Sequence, residues 1–258
     1  MSSRPLPGVE FATPPVREVA MGFEYEPIAG MGTRELVHLQ DAWQGEFVEF
    51  SEQVAPSDPL HAGQAHGWSP VQALRLWAAQ PSSGRLLQLQ SDRIFLNWAS
   101  VGGGAPYPRY ANLRVEFATK WAQQSQRLQD LGLASPAPLV AEFTYVNQIS
   151  PDEDLVWTDA LHIATAEEVP LPGAAGVMQF HMIRTFGGAR HGEAAGEIVV
   201  NARQGPTSEP AMMVIVARMQ VGDGMDPFTA LDRAHAEGSR MFAALTTRAA
   251  HERWGMKA

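Results

Sequence analysis

The strongest constraint in this sequence is a recurrence. From Gly84 to Leu113 the order is a β-hairpin, a glycine loop and a helix opened by Pro106-Tyr107-Pro108. About 121 residues later, AMMVIVARMQVGDGMDPFTALDRAHAEGSRMF again runs strand, glycine loop, helix. At this offset Ile94, Leu96 and Trp98 fall on Ile215, Ala217 and Met219, and Trp121 falls on Phe242. The first strands align at an offset of 122: Met21, Phe23 and Tyr25 fall on Phe143, Tyr145 and Asn147. Each half reads strand, variable or helical segment, three strands, long helix. The expected fold is therefore α+β with two pseudo-repeats, each a curved antiparallel sheet packed around a long helix. The divisions are an extended N-terminal arm over 1–14, a first repeat over 15–132 and a second over 133–258. Whether the two sheets join into one is left open.

Periodicity places the elements. In VREVAMGFEYEP, Val19, Met21, Phe23 and Tyr25 alternate with acids, as in a half-buried strand. Leu36, Leu39, Trp43, Phe47 and Phe50 keep three- and four-residue spacing after Thr33, which predicts a helix over that stretch. Residues 55–70 have loop composition. ALRLWAAQ, RLLQLQ and IFLNWAS read as strands. A helix from Pro106 to about Asp130 carries Tyr107, Tyr110, Leu113, Phe117, Trp121 and Leu128 on one face. LVAEFTYVNQI alternates again, and three strands are expected near 175–186, 195–203 and 210–221. The last helix starts at Asp226, an N-cap followed by Pro227 at the first helical position.

Composition narrows the function. The formal charge is −9, from 19 basic and 28 acidic residues, with no basic run. Nucleic-acid binding rests on neutralising phosphates, so it is disfavoured unless the fold gathers Arg75, Arg85, Arg93, Arg109 and Arg114 on one face. With no cysteine there is no disulfide, thiolate metal site or cysteine nucleophile. No apolar run approaches a membrane span and the opening residues lack a signal-peptide core, so the expected location is the cytoplasm, with no membrane association.

The run LLQLQSDRIFLNWA, then YPRY, then AEFTYVNQI, then LDRAHAEGSRMF with Trp254-Gly255 resembles a family of sporadically distributed bacterial proteins of about this length. The resemblance spans nearly the whole chain and is strongest from Leu86 to Ile149. It implies an accessory role linked to defence or mobile-element loci, and it brings no catalytic residues with it.

Candidate chemistry is sparse. Gly102-Gly103-Gly104 precedes a helix, but no Gly-Lys-Ser/Thr follows, and two prolines remove donors. The equivalent GDGMDP loop carries Asp223 and Asp226, which repel anions. His61 and His66 fit no zinc spacing. His181 and His191 with Glu193 and Glu197 would make a two-His, one-carboxylate set, but at no recognised spacing, so no metal and no cofactor are expected. His235 stands apart because it falls on the apolar stripe of the last helix, one turn from Gly238. With Asn147, Tyr145 and Asn97 it forms the set of pocket candidates. Arg109, Tyr110 and Arg114 open the second helix and, with Asn97, are candidates for a polar surface patch. No catalytic residue is assigned. The leading reading is a non-enzymatic accessory or protein-interaction protein with a protein partner. The alternative is a small-molecule or nucleotide-binding protein or hydrolase with a pocket between sheet and helix.

Overall fold

The computed structural model of the chain describes residues 8–54, 74–100, 106–150, 160–162, 178–187, 194–204 and 210–257. The loop expected at 55–70 with His61 and His66, the Gly102–Gly104 loop, most of 150–173, His191 and Glu193 lie outside the described residues. The fold is mixed α+β, with nine strands in an antiparallel sheet and four helices among the described residues. The chain divides into two compact units, 20–140 and 1–19 with 141–258.

In the first unit, β1 (Val16–Tyr25), β2 (Glu49–Val54), β3 (Leu74–Gln80), β4 (Arg85–Leu89) and β5 (Arg93–Ala99) stand in the order β2-β3-β4-β5-β1. The register sets Leu76 against Leu89 and Leu87 against Leu96. These side chains share a face with Trp98 and are all essentially buried. On β1, Val19, Met21, Phe23 and Tyr25 are buried as the alternation requires. Helix α2 (Tyr110–Asp130) covers this face, with Phe117 and Trp121 packing on Phe23 at ring-centroid distances of 5.0 and 5.1 Å. Gly84 closes the β3–β4 turn at φ 67°, where a Cβ would lie 2.1 Å from the Ala99 carbonyl oxygen, so only glycine fits.

Two helix boundaries differ from the sequence expectation. Helix α1 spans only Thr33–Gln40 and gives way to a 3-10 turn at Asp41–Trp43. Trp43 and Phe47 are buried from this turn, and Phe50 belongs to strand β2, 38% exposed. Helical spacing was thus satisfied by a turn, with Gly45 and the β-prone Phe47-Val48 ending the helix. Helix α2 begins at Tyr110 rather than Pro106. Pro108 bars Tyr107 from the α region, and Arg109 takes φ 73°, ψ 151°.

In the second unit, β6 (Pro138–Ile149), β7 (Met178–Gly187), β8 (Ala195–Gln204) and β9 (Ala211–Gln220) stand in the order β6-β9-β8-β7. Met213, Ile215, Ala217 and Met219 of β9 are fully buried, with Val200 and Ile198 of β8 beside them in register. Helix α3 (Pro227–Leu245) packs on this row. Its start is the expected one: the Asp226 carboxylate accepts from the Phe228 and Thr229 backbone N–H groups at 3.3 and 3.2 Å. A short helix α4 (Arg248–Trp254) follows, capped by Thr247.

Residues 8–13, within the extended arm expected over 1–14, are fixed to this unit. Phe11 is 5% exposed and meets the rings of Phe242 and Trp254 at 5.5 and 6.1 Å. The Ala12 and Thr13 N–H groups donate to the Gly255 and Trp254 carbonyls at 2.9 and 3.0 Å, and Lys257 N–H donates to the Glu10 carbonyl at 2.8 Å. The arm and the C-terminal residues thereby satisfy each other's backbone groups.

Candidate functional site

His235 lies on the sheet-facing stripe of α3. Its Nε2 is 3.1 Å from the Tyr145 hydroxyl, and its ring meets Phe143 edge-on at 5.0 Å. Burial lowers its pKa to about 4, opposed by the carboxylates of Asp232 and Glu10. The imidazole is therefore neutral near pH 7. Gly238 faces β9: a Cβ there would lie 3.5 Å from the Ala217 methyl, at ordinary van der Waals contact. The residue is packed and hydrogen-bonded, the state a core histidine requires.

The other pocket candidates do not all converge on it. Asn147 is 1% exposed, and its Nδ2 donates to the Met213 carbonyl at 3.4 Å, in the same unit as Tyr145 and His235. Asn97 belongs to the other unit, on the β5 face opposite Leu96 and Trp98. Its Oδ1 accepts from Gln88 Nε2 at 2.8 Å, and Gln88 in turn accepts from Arg75 at 2.9 Å. Asn97 therefore also stands apart from the Arg109, Tyr110 and Arg114 group, which enters α2 on the face of Trp98. There Tyr107 packs on Trp98 at 5.3 Å, with the Arg109 guanidinium 5.6 Å from the Tyr107 ring centroid.

The fold pairs two of the five arginines that a nucleic-acid surface would need with carboxylates. Arg85 pairs with Glu116 at 2.9 Å, and Arg93 with Glu24 and Asp92 at 3.1 Å each. His181 bonds Asn201 across the β7–β8 ladder at 2.7 Å, while Glu197 stands opposite Thr185, further along the same ladder. Among the described residues no three His, Cys, Asp or Glu side chains are grouped to hold a metal ion. No described helix is long and apolar enough to cross a membrane.

Sequence reading missed three polar arrangements. Lys120 and Gln124 sit fully inside the α2 layer, bonded to Glu46 and to the Tyr25 hydroxyl respectively. Burial raises the Tyr25 pKa above its ordinary value, opposed by the Gln124 hydrogen bond. Arg218 and Glu142 form an ion pair at 3.0 Å, only 9% and 17% exposed, on strands β9 and β6. Thr246 and His251 lie 2.8 Å apart at the α3–α4 corner. The Thr246 hydroxyl also reaches the Phe242 carbonyl at 2.8 Å. With its proton on that carbonyl it accepts from the imidazole N–H, so the pair caps a helix end and activates no nucleophile.

Surface geometry offers a different candidate. Strand β7 forms one end of the strand order, pairs only with β8 among the described strands, and is ten residues long. Ile183 is 53% exposed, and Gln179, His181, Arg184 and Thr185 are exposed with it. By register, Phe180, Met182, Arg184 and Phe186 lie on the face that carries α3. The other terminal strand, β2, has six residues and carries Glu49 and Glu52. An open edge presents a row of backbone donors and acceptors, and long apolar edges are strand-addition sites unless charge or proline blunts them. No family model, curated protein or solved structure matches the chain.

Proposed function

We propose that the chain is a non-enzymatic accessory protein that recognises a protein partner by strand addition along β7. Its scaffold is two diverged copies of one α+β unit, of the sporadically distributed bacterial kind that the sequence resembles, working in the cytoplasm. The duplication is supported by the mirrored strand orders, β3-β4-β5-β1 and β7-β8-β9-β6, each followed by a long helix after its last strand. The single observation that carries the interaction reading is the ten-residue β7 edge, apolar at Phe180, Met182, Ile183 and Phe186 and interrupted by one full charge, Arg184. In β-augmentation the main chain supplies affinity and alternate side chains supply specificity. The test is capture from the host lysate followed by hydrogen exchange on the complex. A stoichiometric protein that slows exchange at the β7 amides, and is lost with Ile183→Pro at unchanged melting temperature, supports the reading. A retained small molecule or metal, or protection elsewhere, sinks it.

A further inference from the structure

We infer that β7 of one molecule accepts β2 of a second copy, so that the chain self-associates head to tail. This rests on the strand-addition reading and names its partner. The two terminal strands are complementary in charge: β2 carries Glu49 and Glu52 with no cation, and β7 carries Arg184 with no acid. They are complementary in facing as well. Phe50 and Glu52 oppose Ala78 and Leu76, on the packed face of their unit. Arg184 and Phe186 oppose Ile198 and Gly196, which stand against Ala217 and Met219 on the face bearing α3.

An antiparallel register that sets Glu52 against Arg184 also sets Phe50 against Phe186 on that face. On the other face it sets Gln53 against Ile183 and Ser51 against Thr185. One register thus pairs the opposite charges, stacks the aromatics and shields Ile183, the combination that favours cross-strand pairs. The two surfaces differ, so the contact is heterologous and generates a ring or an open chain of molecules.

The experiment is sedimentation of the full chain over a concentration series at low and high salt, with Arg184→Glu and Glu52→Arg. The wild type associates with concentration, and less at high salt. Each single variant juxtaposes like charges and weakens association about tenfold or more. A mixture of the two variants restores association, because every contact in an alternating assembly again joins opposite charges. Association insensitive to both substitutions, a mixture that fails to recover, or a wild type that stays monomeric at the highest soluble concentration overturns the inference. These outcomes leave the strand-addition reading standing if a different protein still protects the β7 amides. Loss of that protection as well removes both.

Discussion

Helices α2 and α3 each carry polar side chains into the layer they form with a sheet, and they dispose of them differently. On α2, the Lys120 side chain is buried, with its ammonium 5.5 Å from the Phe47 ring centroid, and pairs with Glu46, whose side chain is 51% exposed. On α3, His235 has no stem with which to reach solvent, and it meets Tyr145 and Phe143 instead. A long flexible side chain keeps its charge by snorkelling to a wet partner. A short ring, half-buried and packed on Tyr145 and Phe143, is held neutral by desolvation. The remaining polar groups are neutral in both layers: Gln124 donates to Tyr25 at 2.8 Å, and Ser239 accepts from the Val9 N–H at 3.2 Å. At the 121-residue offset Lys120 falls on Met241 and His235 on Arg114, so the polar insertions fall at unrelated positions of the two helices.

The largest effect tests whether the two layers are equivalent at all. Phe23 and Phe143 are both 0% exposed, each at the centre of its own helix–sheet contact. Phe23→Ala and Phe143→Ala should each destabilise by about 3–5 kcal/mol, the usual cost of emptying a large core site. Urea unfolding of the two variants checks this. A loss below about 1 kcal/mol in one of them breaks the parallel between the units.

The next effect separates the neutral histidine from the charged lysine. The His235 imidazole titrates near 4 in the folded chain, against an ordinary value of 6.5. Between these values the unfolded chain binds a proton that the folded chain refuses. Stability from this group is therefore full above about pH 6.5, falls as pH drops towards 4, and falls no further once both states are protonated. The total is about 3 kcal/mol. The measurement is the difference in urea midpoint between wild type and His235→Gln across that range, which isolates this group from the rest of the chain. A difference that does not change with pH shows an imidazole that titrates normally and refutes the burial argument.

For the lysine the prediction is asymmetric. Glu46→Ala leaves the Lys120 ammonium inside the layer without its carboxylate and should cost about 1–3 kcal/mol, at the lower end because Glu46 is half exposed. Lys120→Met removes the charge together with its need for a partner and should cost less. In the double variant Glu46→Ala should then cost almost nothing. Chemical denaturation of the four proteins completes the cycle, and equal costs for the two single changes would contradict it.

These contrasts also mark what the sequence disclosed. Alternation at Val19, Met21, Phe23 and Tyr25, and at Met213, Ile215 and Ala217, is a local property of a strand buried on one face, so those strands were legible. Asp226-Pro227 announced α3 because cap chemistry is local too. Trp43, Phe47 and Phe50 misled because a turn buries side chains at helical spacing without a helix. Phe11 was read only as part of an extended arm because its partners, Phe242 and Trp254, lie at the far end of the chain. Lys120 and Gln124 were passed over because their partners stand 74 and 99 residues away, and periodicity carries no signal for such pairs. His235 was found by its place on a stripe, but only its contacts with Tyr145 and Phe143 show how it is held.

The smallest effect asks whether the neutral pairs are interchangeable between the layers. Tyr25→Phe removes the acceptor of Gln124, whose side chain has no route to solvent, and keeps the ring beside Trp121, 5.9 Å between centroids. Tyr145→Phe removes the hydroxyl bonded to His235 and keeps the ring beside Phe143, 4.6 Å away. Each should cost about 1 kcal/mol, a typical net value for one buried neutral hydrogen bond. They should differ with pH. Near neutral pH Tyr145→Phe removes one neutral hydrogen bond; towards pH 4 the imidazolium Nε2–H donates to the hydroxyl oxygen, a stronger charge-assisted bond, so the penalty grows as the imidazole is protonated. The Tyr25→Phe penalty stays constant over the same range, because neither the amide nor the phenol titrates there. Parallel unfolding curves at about pH 7 and pH 4 decide it, and equal pH dependence in the two variants would mean that the histidine is not the group Tyr145 serves.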